Sequence, residues 1–182
     1  MYHIKQDKRS ESSARLLCQG LSDMLKIRKY DEISISDICT SCGTARTTFY
    51  RLFDTLDDVL LYQFDTLFVR SISLYQSQSD KEINSYAYII LRIAMSDPNL
   101  ITALVSSGRD DLFDFATRMK EDTLIQNLHI HIDEKNRQYC TPLLNSMILS
   151  ILHTWVKKGC EETPDELYEI LKDNIILIQK HI

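Results

Sequence analysis

The sequence predicts an all-α protein of about nine helices. Apolar residues recur at spacings of three and four along most of its 182 residues, which is the period of amphipathic helices. Only four glycines and three prolines occur, so turn signals are too sparse for a sandwich of many short strands. Three Ser/Thr-x-x-Asp/Glu sequences precede apolar runs, as capping boxes do at helix starts. We therefore expect a three-helix N-terminal head, residues 1–54, and a helical body, residues 55–182.

The head is predicted to contain one long helix followed by two short ones. The apolar spacing places the first helix over about residues 10–28. Ser34 and Asp37 have the spacing of a capping box, which starts the second helix. Gly43 suits the tight turn that follows, because glycine tolerates positive φ. The third helix is expected over about residues 45–53.

The body is predicted to contain six further helices. Their clearest start signals are Thr55 with Asp58, then Asp97-Pro98, and then Thr163-Pro164-Asp165-Glu166, which combines a cap, a proline and two acids. Polar stretches at 76–81 and 133–137 are read as connections. The expected helices cover about residues 56–75, 82–95, 98–107, 110–132, 138–158, and 164 to nearly the end of the sequence.

Composition favours a cytoplasmic protein without catalytic activity. Apolar residues make up 44% and charged residues 26%, as in ordinary globular proteins. The apolar runs are too short to span a membrane, and the polar N-terminus has no secretory signal. We find no glycine-rich phosphate loop, GxSxG or HExxH motif, so we expect neither an enzyme nor a cofactor. The acidic cluster Asp110-Asp111-x-x-Asp114 lies at an expected helix start, where acids stabilise the helix dipole.

Charge is distributed unevenly between head and body. Residues 1–56 contain nine Lys or Arg and seven Asp or Glu, whereas residues 57–182 contain twelve and nineteen. A basic head on an acidic body suits local contact with a polyanion.

The cysteines argue against a disulfide framework, since their number is odd. Cys39 and Cys42 form a CxxC sequence, which could be half of a zinc site or a redox pair, but no second CxxC or HxxxH lies near it. On a short helix both fall on one face beside the turn, so we interpret them as small buried packing residues. His129 and His131 lie on different faces of one helix, and we expect no metal site. The remaining cysteines are Cys18, Cys140 and Cys160.

Residues 33–53, ISISDICTSCGTARTTFYRLF, carry the main functional signal. Two short helices joined by a tight turn are typical of a helix-turn-helix whose second helix enters the major groove of DNA. Arg46 can bind a guanine edge or a phosphate, and Thr47 and Thr48 offer small hydroxyls and methyls to base edges. Tyr50 lies one turn further, where a phenol suits a phosphate. The two phenylalanines of this helix are four residues apart and are expected to face the core.

The span from about Ser10 to Gln63 resembles the N-terminal domain of the TetR/AcrR family of bacterial transcriptional regulators. The capped helix start at 34–39, Cys42-Gly43 in place of Ala-Gly, and the sequence RTTFYRLF at 46–53 align with the family pattern without a gap. By this resemblance, the residues that face DNA are Ser36, Thr44, Arg46, Thr47, Thr48 and Tyr50.

Two departures from the family pattern affect the expected contacts with DNA. Ala45 lies where a serine usually caps the third helix, so that cap is weaker. Leu56 lies where the family usually has a lysine that holds a phosphate. One electrostatic contact is then missing, and we expect the salt dependence of binding to be shallower by about one counterion per subunit.

The resemblance implies that the body forms a homodimer. Two apolar amphipathic helices in succession, about 148–156 and 167–178, favour a four-helix interface between two copies. The sequence from Trp155, WVKKGCxxTPDEL, resembles the tail of a subgroup found among Gram-positive members. The expected interface residues are Ile148, Ile151, Leu152, Trp155, Leu167, Leu171 and Ile175.

The resemblance also implies that the body often encloses a ligand cavity. Aromatic and methionine side chains with one arginine could hold an apolar or an anionic small molecule, although an ordinary core contains the same residues. The principal candidates are Phe64, Phe68, Tyr86, Arg92, Phe113 and Met119, with Tyr75, Met95 and His129 as further ones.

These patterns together predict a homodimeric, sequence-specific repressor of transcription that a small-molecule effector releases from DNA. Its partner would be double-stranded DNA with a pseudo-palindromic operator, whose half-sites lie about 34–36 Å apart. The alternative is an adaptor or co-activator of transcription that has the same head and needs no ligand.

Overall fold

The computed structural model describes residues 2–5, 7–79, 83–118, 120–127 and 133–181. Over these ranges the chain forms ten α-helices and one 3₁₀ turn and contains no strand, which confirms the all-α fold. The elements are α1 (Lys8–Leu25), the 3₁₀ turn (Tyr30–Glu32), α2 (Ile35–Ser41), α3 (Arg46–Leu52), α4 (Leu56–Gln76), α5 (Ile83–Ala94), α6 (Pro98–Ser106), α7 (Asp110–Arg118), α8 (Glu121–Asn127), α9 (Glu134–Lys157) and α10 (Pro164–His181).

Two predictions about the helices of the body are wrong. The single helix expected over 110–132 is two helices, α7 and α8, so the described residues contain ten helices instead of nine. Helix α9 begins at Glu134, inside the stretch read as a connection. The carboxylate of Asp133 accepts a hydrogen bond from the backbone N–H of Asn136 at 2.8 Å, so it caps this helix.

Helix α1 supports the head because α2, α3 and α4 all pack against it. Its inward face is completely buried at Ala14, Leu17 and Leu21, which follow one another at helical spacing. Gly20 lets α2 approach unusually closely. A β-carbon at this position would lie 3.0 Å from the carbonyl oxygen of Ile38, closer than atoms pack without displacement.

Helix α4 connects the head to the body. It starts with the predicted capping box, in which Asp58 N–H donates to Thr55 Oγ1 at 3.3 Å and Thr55 N–H donates to the Asp58 carboxylate at 3.1 Å. Along its length α4 contacts α1 as well as α5 and α7. The hydrophobic core runs continuously from Ala14 in the head to Leu171 in α10. A shift of α4 would therefore disturb the packing on both sides of the boundary expected at residue 54.

Two polar contacts position the last two helices, one between α5 and α10 and one within the turn between α9 and α10. The Tyr88 hydroxyl of α5 donates to the carboxylate of Asp165 at the start of α10, at 2.8 Å, and the Tyr88 ring contacts the ring of Tyr168 edge-on. The indole N–H of Trp155 donates to the carbonyl oxygen of Glu162 at 3.0 Å, closing the turn between α9 and α10.

In the ranges that the structure covers, no single helix combines the length and apolar composition needed to cross a membrane. Among the described helices, only the pair Tyr86–Ala94 and Pro98–Ser106, bent by 88°, meets that test jointly.

Candidate nucleic-acid interface

The turn between α2 and α3 is fixed by backbone geometry and by a capped helix. Asp37 N–H donates to Ser34 Oγ at 3.2 Å, and Ser34 N–H donates to the Asp37 carboxylate at 2.9 Å, so the predicted capping box is present. The Ser34 hydroxyl, which donates to the Asp37 carboxylate at 2.6 Å, and the Ser34 N–H together hold the pKa of Asp37 below its usual value. Gly43 adopts a φ of +64°, as expected for the turn, and Thr44 N–H donates to the Cys39 carbonyl at 2.9 Å.

Helix α3 is anchored by three large apolar residues. Phe49 and Phe53 have no exposed surface, and Leu52 is equally enclosed. The rings of Phe49 and Phe53 lie 5.8 Å apart between centroids. Burying each such side chain contributes about 1.5–3 kcal/mol, so the inward face of α3 determines which face turns outward.

The opposite face of α3 is polar and open to solvent. Arg46, Thr47 and Tyr50 are exposed, whereas Thr48 is half-buried. Tyr50 is 56% exposed, yet its ring rests edge-on against Phe49 with centroids 5.5 Å apart, which limits the directions in which the phenol can point. Exposed donors on an anchored helix are what recognition of a polyanion requires.

The two other residues that the resemblance assigns to DNA precede α3 in the chain. Ser36 lies in the first turn of α2, and its carbonyl accepts a hydrogen bond from Thr40 Oγ1 at 2.8 Å. Thr44 lies in the turn itself. Both are half-buried, so they present less surface than Arg46, Thr47 and Tyr50.

Both departures from the family pattern have structural consequences. Ala45 occupies the N-cap position of α3 and makes no side-chain hydrogen bond there. Leu56 is half-buried and packs against the core, so the first residue of α4 supplies no cation to this surface.

The N-terminal residues 2–5 lie across the junction of α3 and α4, which sequence reasoning missed. The Tyr2 hydroxyl donates to the Asp65 carboxylate, and burial together with this carboxylate raises the pKa of Tyr2. The backbone N–H of His3 donates to the Leu52 carbonyl at 2.7 Å, at the last residue of α3. Alternation of apolar Tyr2 and Ile4 with polar residues was the only available signal, and it is too short to be distinctive.

The cysteines of the CxxC sequence are packing residues. Cys39 is buried, and a β-carbon on Gly20 would lie 3.2 Å from the β-carbon of Cys42, so Cys42 lies directly against α1. Burial and the neighbouring Cys42 raise the pKa of the Cys39 thiol. Within the described residues, no three His, Cys, Asp or Glu side chains are grouped to hold a metal ion. His129 and His131 lie outside the described residues.

A three-residue contact joins the head to the body, and no sequence pattern indicated it. The Tyr30 hydroxyl, in the 3₁₀ turn of the head, donates to Asp57 Oδ1 at 2.7 Å. The same oxygen lies 3.4 Å from Nε of Arg109, which follows α6. Burial and the Asp57 carboxylate raise the pKa of Tyr30, so its hydroxyl keeps the donated proton.

An apolar cavity of about 50 Å³ lies in the body between α4, α5, α6 and α7. Three of the predicted ligand residues, Phe64, Phe68 and Phe113, line it. Tyr86 is buried beside it, with its hydroxyl 3.2 Å from Ser71 Oγ. The side chain of Arg92 is exposed and does not line this cavity. Tyr75 and Met95 are buried core residues outside its lining, and Met119 and His129 lie outside the described residues.

Most of the residues expected at a dimer interface are buried within the subunit itself. Five pack into the core of the isolated chain, so they contribute to folding before any association: Ile148, Leu152, Trp155, Leu167 and Leu171. The other two, Ile151 and Ile175, are half-buried. They share a surface groove between α9 and α10 with the more exposed Met147 and Ile170, which the prediction omitted.

Solved structures with the same architecture were found. The chain superposes on Lin0861 from Listeria innocua with a TM-score of 0.74 and 20% identity, covering 97% of this chain and 96% of that one. It superposes on the dihydroxyacetone kinase operon activator DhaS with a TM-score of 0.63 and 18% identity, covering 92% and 95%. The fatty acid degradation regulator FadR from Bacillus halodurans gives a TM-score of 0.62 and 13% identity, covering 92% and 94%.

No protein-family model and no curated protein matches the sequence. The structural likeness extends over nearly the whole length of each chain, and it shows that this protein has a TetR-like fold, as the resemblance of its head predicts.

Proposed function

We propose that this protein is a transcriptional regulator of the TetR type that binds DNA through α3. The observation that carries the proposal is the division of α3 into two faces. Phe49 and Phe53 hold the helix in the core, while Arg46, Thr47 and Tyr50 extend into solvent. Two of the proteins that share the fold are described as an operon activator and a degradation regulator, which supports a role in transcription.

Each exposed group of α3 suits a different part of the duplex. The guanidinium of Arg46 can bind the O6 and N7 acceptors of guanine as a fork, and the methyl and hydroxyl of Thr47 suit a thymine edge. Tyr50, one turn later, is placed for a phosphate oxygen, which fixes the position of the helix without reading sequence. The half-buried Ser36, Thr44 and Thr48 would add hydroxyls around this contact.

Recognition of a pseudo-palindrome requires two heads, so we propose a homodimer. The groove between α9 and α10 places Met147, Ile151, Ile170 and Ile175 on the surface, where a second copy would cover them. Two α3 helices would then enter successive major grooves about 34–36 Å apart.

We further propose that a small-molecule effector releases a repressor from its operator. The cavity is walled partly by Phe64 of α4 and Phe113 of α7, and the loop that leads into α7 carries Arg109. Through Asp57, Arg109 reaches Tyr30 of the head. A ligand that separates α4 from α7 would thus favour a different position of the head. The size of the population shift is limited by how much more tightly the ligand binds that conformation than the other.

The second candidate function is a ligand-independent adaptor or co-activator with the same head. The small volume of the cavity, about 50 Å³, favours it, as does the description of one protein with this fold as an operon activator.

Selection of bound duplexes from a randomised pool, followed by gel-shift titration, tests DNA binding directly. The double variant Arg46→Ala/Tyr50→Phe should lose retardation of the selected duplex while size-exclusion chromatography with light scattering still reports a dimer. The matched control is Arg92→Ala/Tyr139→Phe, which removes the same groups from exposed positions on the body. Equal affinity of both double variants would refute the role of α3, and a monomeric wild-type protein would refute the two-head arrangement.

A further inference from the structure

We propose that the cavity between α4 and α7 selects a small, uncharged, apolar compound, of the size of one substituted ring. The inference rests on the proposed function for its effect on DNA, while the binding itself can be measured without DNA. Of the two ligand classes that the sequence allows, apolar and anionic, this inference excludes the anionic one, because Arg92 does not line the cavity.

The cavity is lined mainly by apolar side chains. Phenylalanine, leucine, isoleucine and alanine side chains supply nine of its eleven lining residues, and the other two are Ser71 and Thr117. Among the described residues, no ionisable side chain lines it. A carboxylate or ammonium group placed there would lose its hydration without gaining a partner, so charge is selected against.

Both hydroxyls of the wall already have partners within the protein. Ser71 Oγ donates to the Phe68 carbonyl at 2.7 Å and lies 3.2 Å from the Tyr86 hydroxyl. Thr117 Oγ1 donates to the Phe113 carbonyl at 2.9 Å and accepts from Nδ2 of Asn145 at 2.5 Å. A ligand therefore gains little from polar groups of its own, and affinity comes from apolar contact.

Size determines how the ligand enters. The cavity of about 50 Å³ is smaller than the ~150 Å³ apolar cavity that holds benzene in other proteins. The rings of Phe64 and Phe113 meet edge-on across it, with centroids 6.1 Å apart. A single-ring compound fits only once these two rings, which belong to α4 and α7, separate.

Three compounds that share one ring and differ in charge test this inference: toluene, benzoate and benzylammonium. Isothermal titration of the full chain at pH 7 is expected to show toluene binding, with both ions at least tenfold weaker. The variant Ala116→Leu fills the cavity from α7 and should weaken toluene binding at least tenfold, whereas Thr102→Leu, on the exposed face of α6, should leave it unchanged. Absence of toluene binding, binding of either ion as tightly as toluene, or an unaltered Ala116→Leu variant would overturn the inference.

A second variant keeps the test decisive if Ala116→Leu does not fold, as circular dichroism would show. Phe113→Ala enlarges the cavity and should improve binding of n-butylbenzene relative to toluene. An unchanged ratio of the two affinities would count against the cavity. Gel shifts of the selected duplex with and without toluene separate the two proposals. Toluene binding by a chain that does not bind DNA refutes the regulator alone, whereas DNA binding without toluene binding refutes the ligand class alone.

Discussion

The hydroxyl of Tyr30 donates a 2.7 Å hydrogen bond to Asp57, across the boundary between the head and the first turn of α4. Tyr30 is almost completely buried, whereas Asp57 retains about a third of its side-chain exposure. The same carboxylate faces Arg109 at 3.4 Å. Nε of Arg109 is enclosed by the protein but does not reach hydrogen-bond geometry with Asp57, so the 2.7 Å bond from the buried phenol is the closer of the two contacts.

The variant Tyr30→Phe should therefore lower the free energy of unfolding by about 1 kcal/mol, since it removes one net hydrogen bond at constant shape. Urea denaturation at pH 7 measures the change. Tyr139→Phe removes an exposed hydroxyl and should stay within about 0.5 kcal/mol of the wild type. If both variants unfold alike, the contact between Tyr30 and Asp57 is not formed in solution.

Replacing Ala45 with serine should stabilise the head by about 0.5–1 kcal/mol, because the new hydroxyl can accept from the free N–H groups in the first turn of α3. Ala45 is exposed and its backbone is extended, so the hydroxyl fits without displacing other atoms. The opposite change at α2, Ser34→Ala, breaks an existing capping box and should cost a similar amount. Thermal unfolding of both variants checks the pair, and a loss of stability in Ala45→Ser would contradict the cap assignment.

The three capping boxes could be predicted because their chemistry is local. The hydroxyls of Ser34, Thr55 and Thr163 each accept a hydrogen bond from the backbone N–H of an acidic residue three positions later. The carboxylate of that acid in turn accepts a hydrogen bond from the backbone N–H of the cap residue. Nothing outside four consecutive residues is needed to specify such a cap. The start of α9 was misplaced because its first turn is polar, and apolar periodicity does not detect a turn that lies in solvent.

Whether an apolar helix face packs within the subunit or against a second copy could not be predicted, because this depends on contacts between residues distant in sequence. Leu152 and Trp155 repeat at helical spacing, which a core face and a dimer face share. The structure places both in the core of one subunit. Likewise, the position of Arg92 among aromatic residues suggested a ligand contact, but the rotation of α5 turns its side chain to solvent.

Acid should weaken the capped helices. The pKa values of Asp37 and Glu166 lie below the usual 3.8 and 4.5, because both carboxylates accept hydrogen bonds from their caps, Ser34 and Thr163. A carboxyl group whose pKa is lower in the folded than in the unfolded state stabilises the fold at pH values above its unfolded-state pKa. This stabilisation is lost as the pH falls through the folded-state pKa. We expect the urea midpoint to fall as the pH decreases from about 5 to 3.

The variant Asp37→Asn tests this pH dependence, because it cannot lose a proton. Its urea midpoint should be lower than that of the wild type at pH 5 and should fall less between pH 5 and 3. Asp173→Asn makes the same charge change in the middle of α10, away from any helix start. An Asp37→Asn variant as acid-sensitive as the wild type would remove this carboxylate from the explanation.

In the proposed homodimer, Ile170→Asp should prevent association, because it places a charge in the groove between α9 and α10 that the second copy would cover. Sedimentation velocity at micromolar concentration should then report a monomer with unchanged helix content by circular dichroism. Val69→Asp, on the exposed face of α4, is the matched control and should remain dimeric. A dimeric Ile170→Asp variant would place the interface elsewhere.

The close approach of α1 and α2 at Gly20 bears on how the proposed preference for a DNA sequence could change. With the Ile38 carbonyl and the Cys42 side chain set directly against α1, α2 has no room to tilt, and the buried Phe49 holds α3 in the same packed unit. If α3 reads DNA as proposed, variants selected for a new operator are therefore expected to carry their substitutions at outward positions such as 46, 47 and 50. Substitutions of the buried residues that pack beneath α3 would destabilise the head before they changed which bases the proposed contact reads.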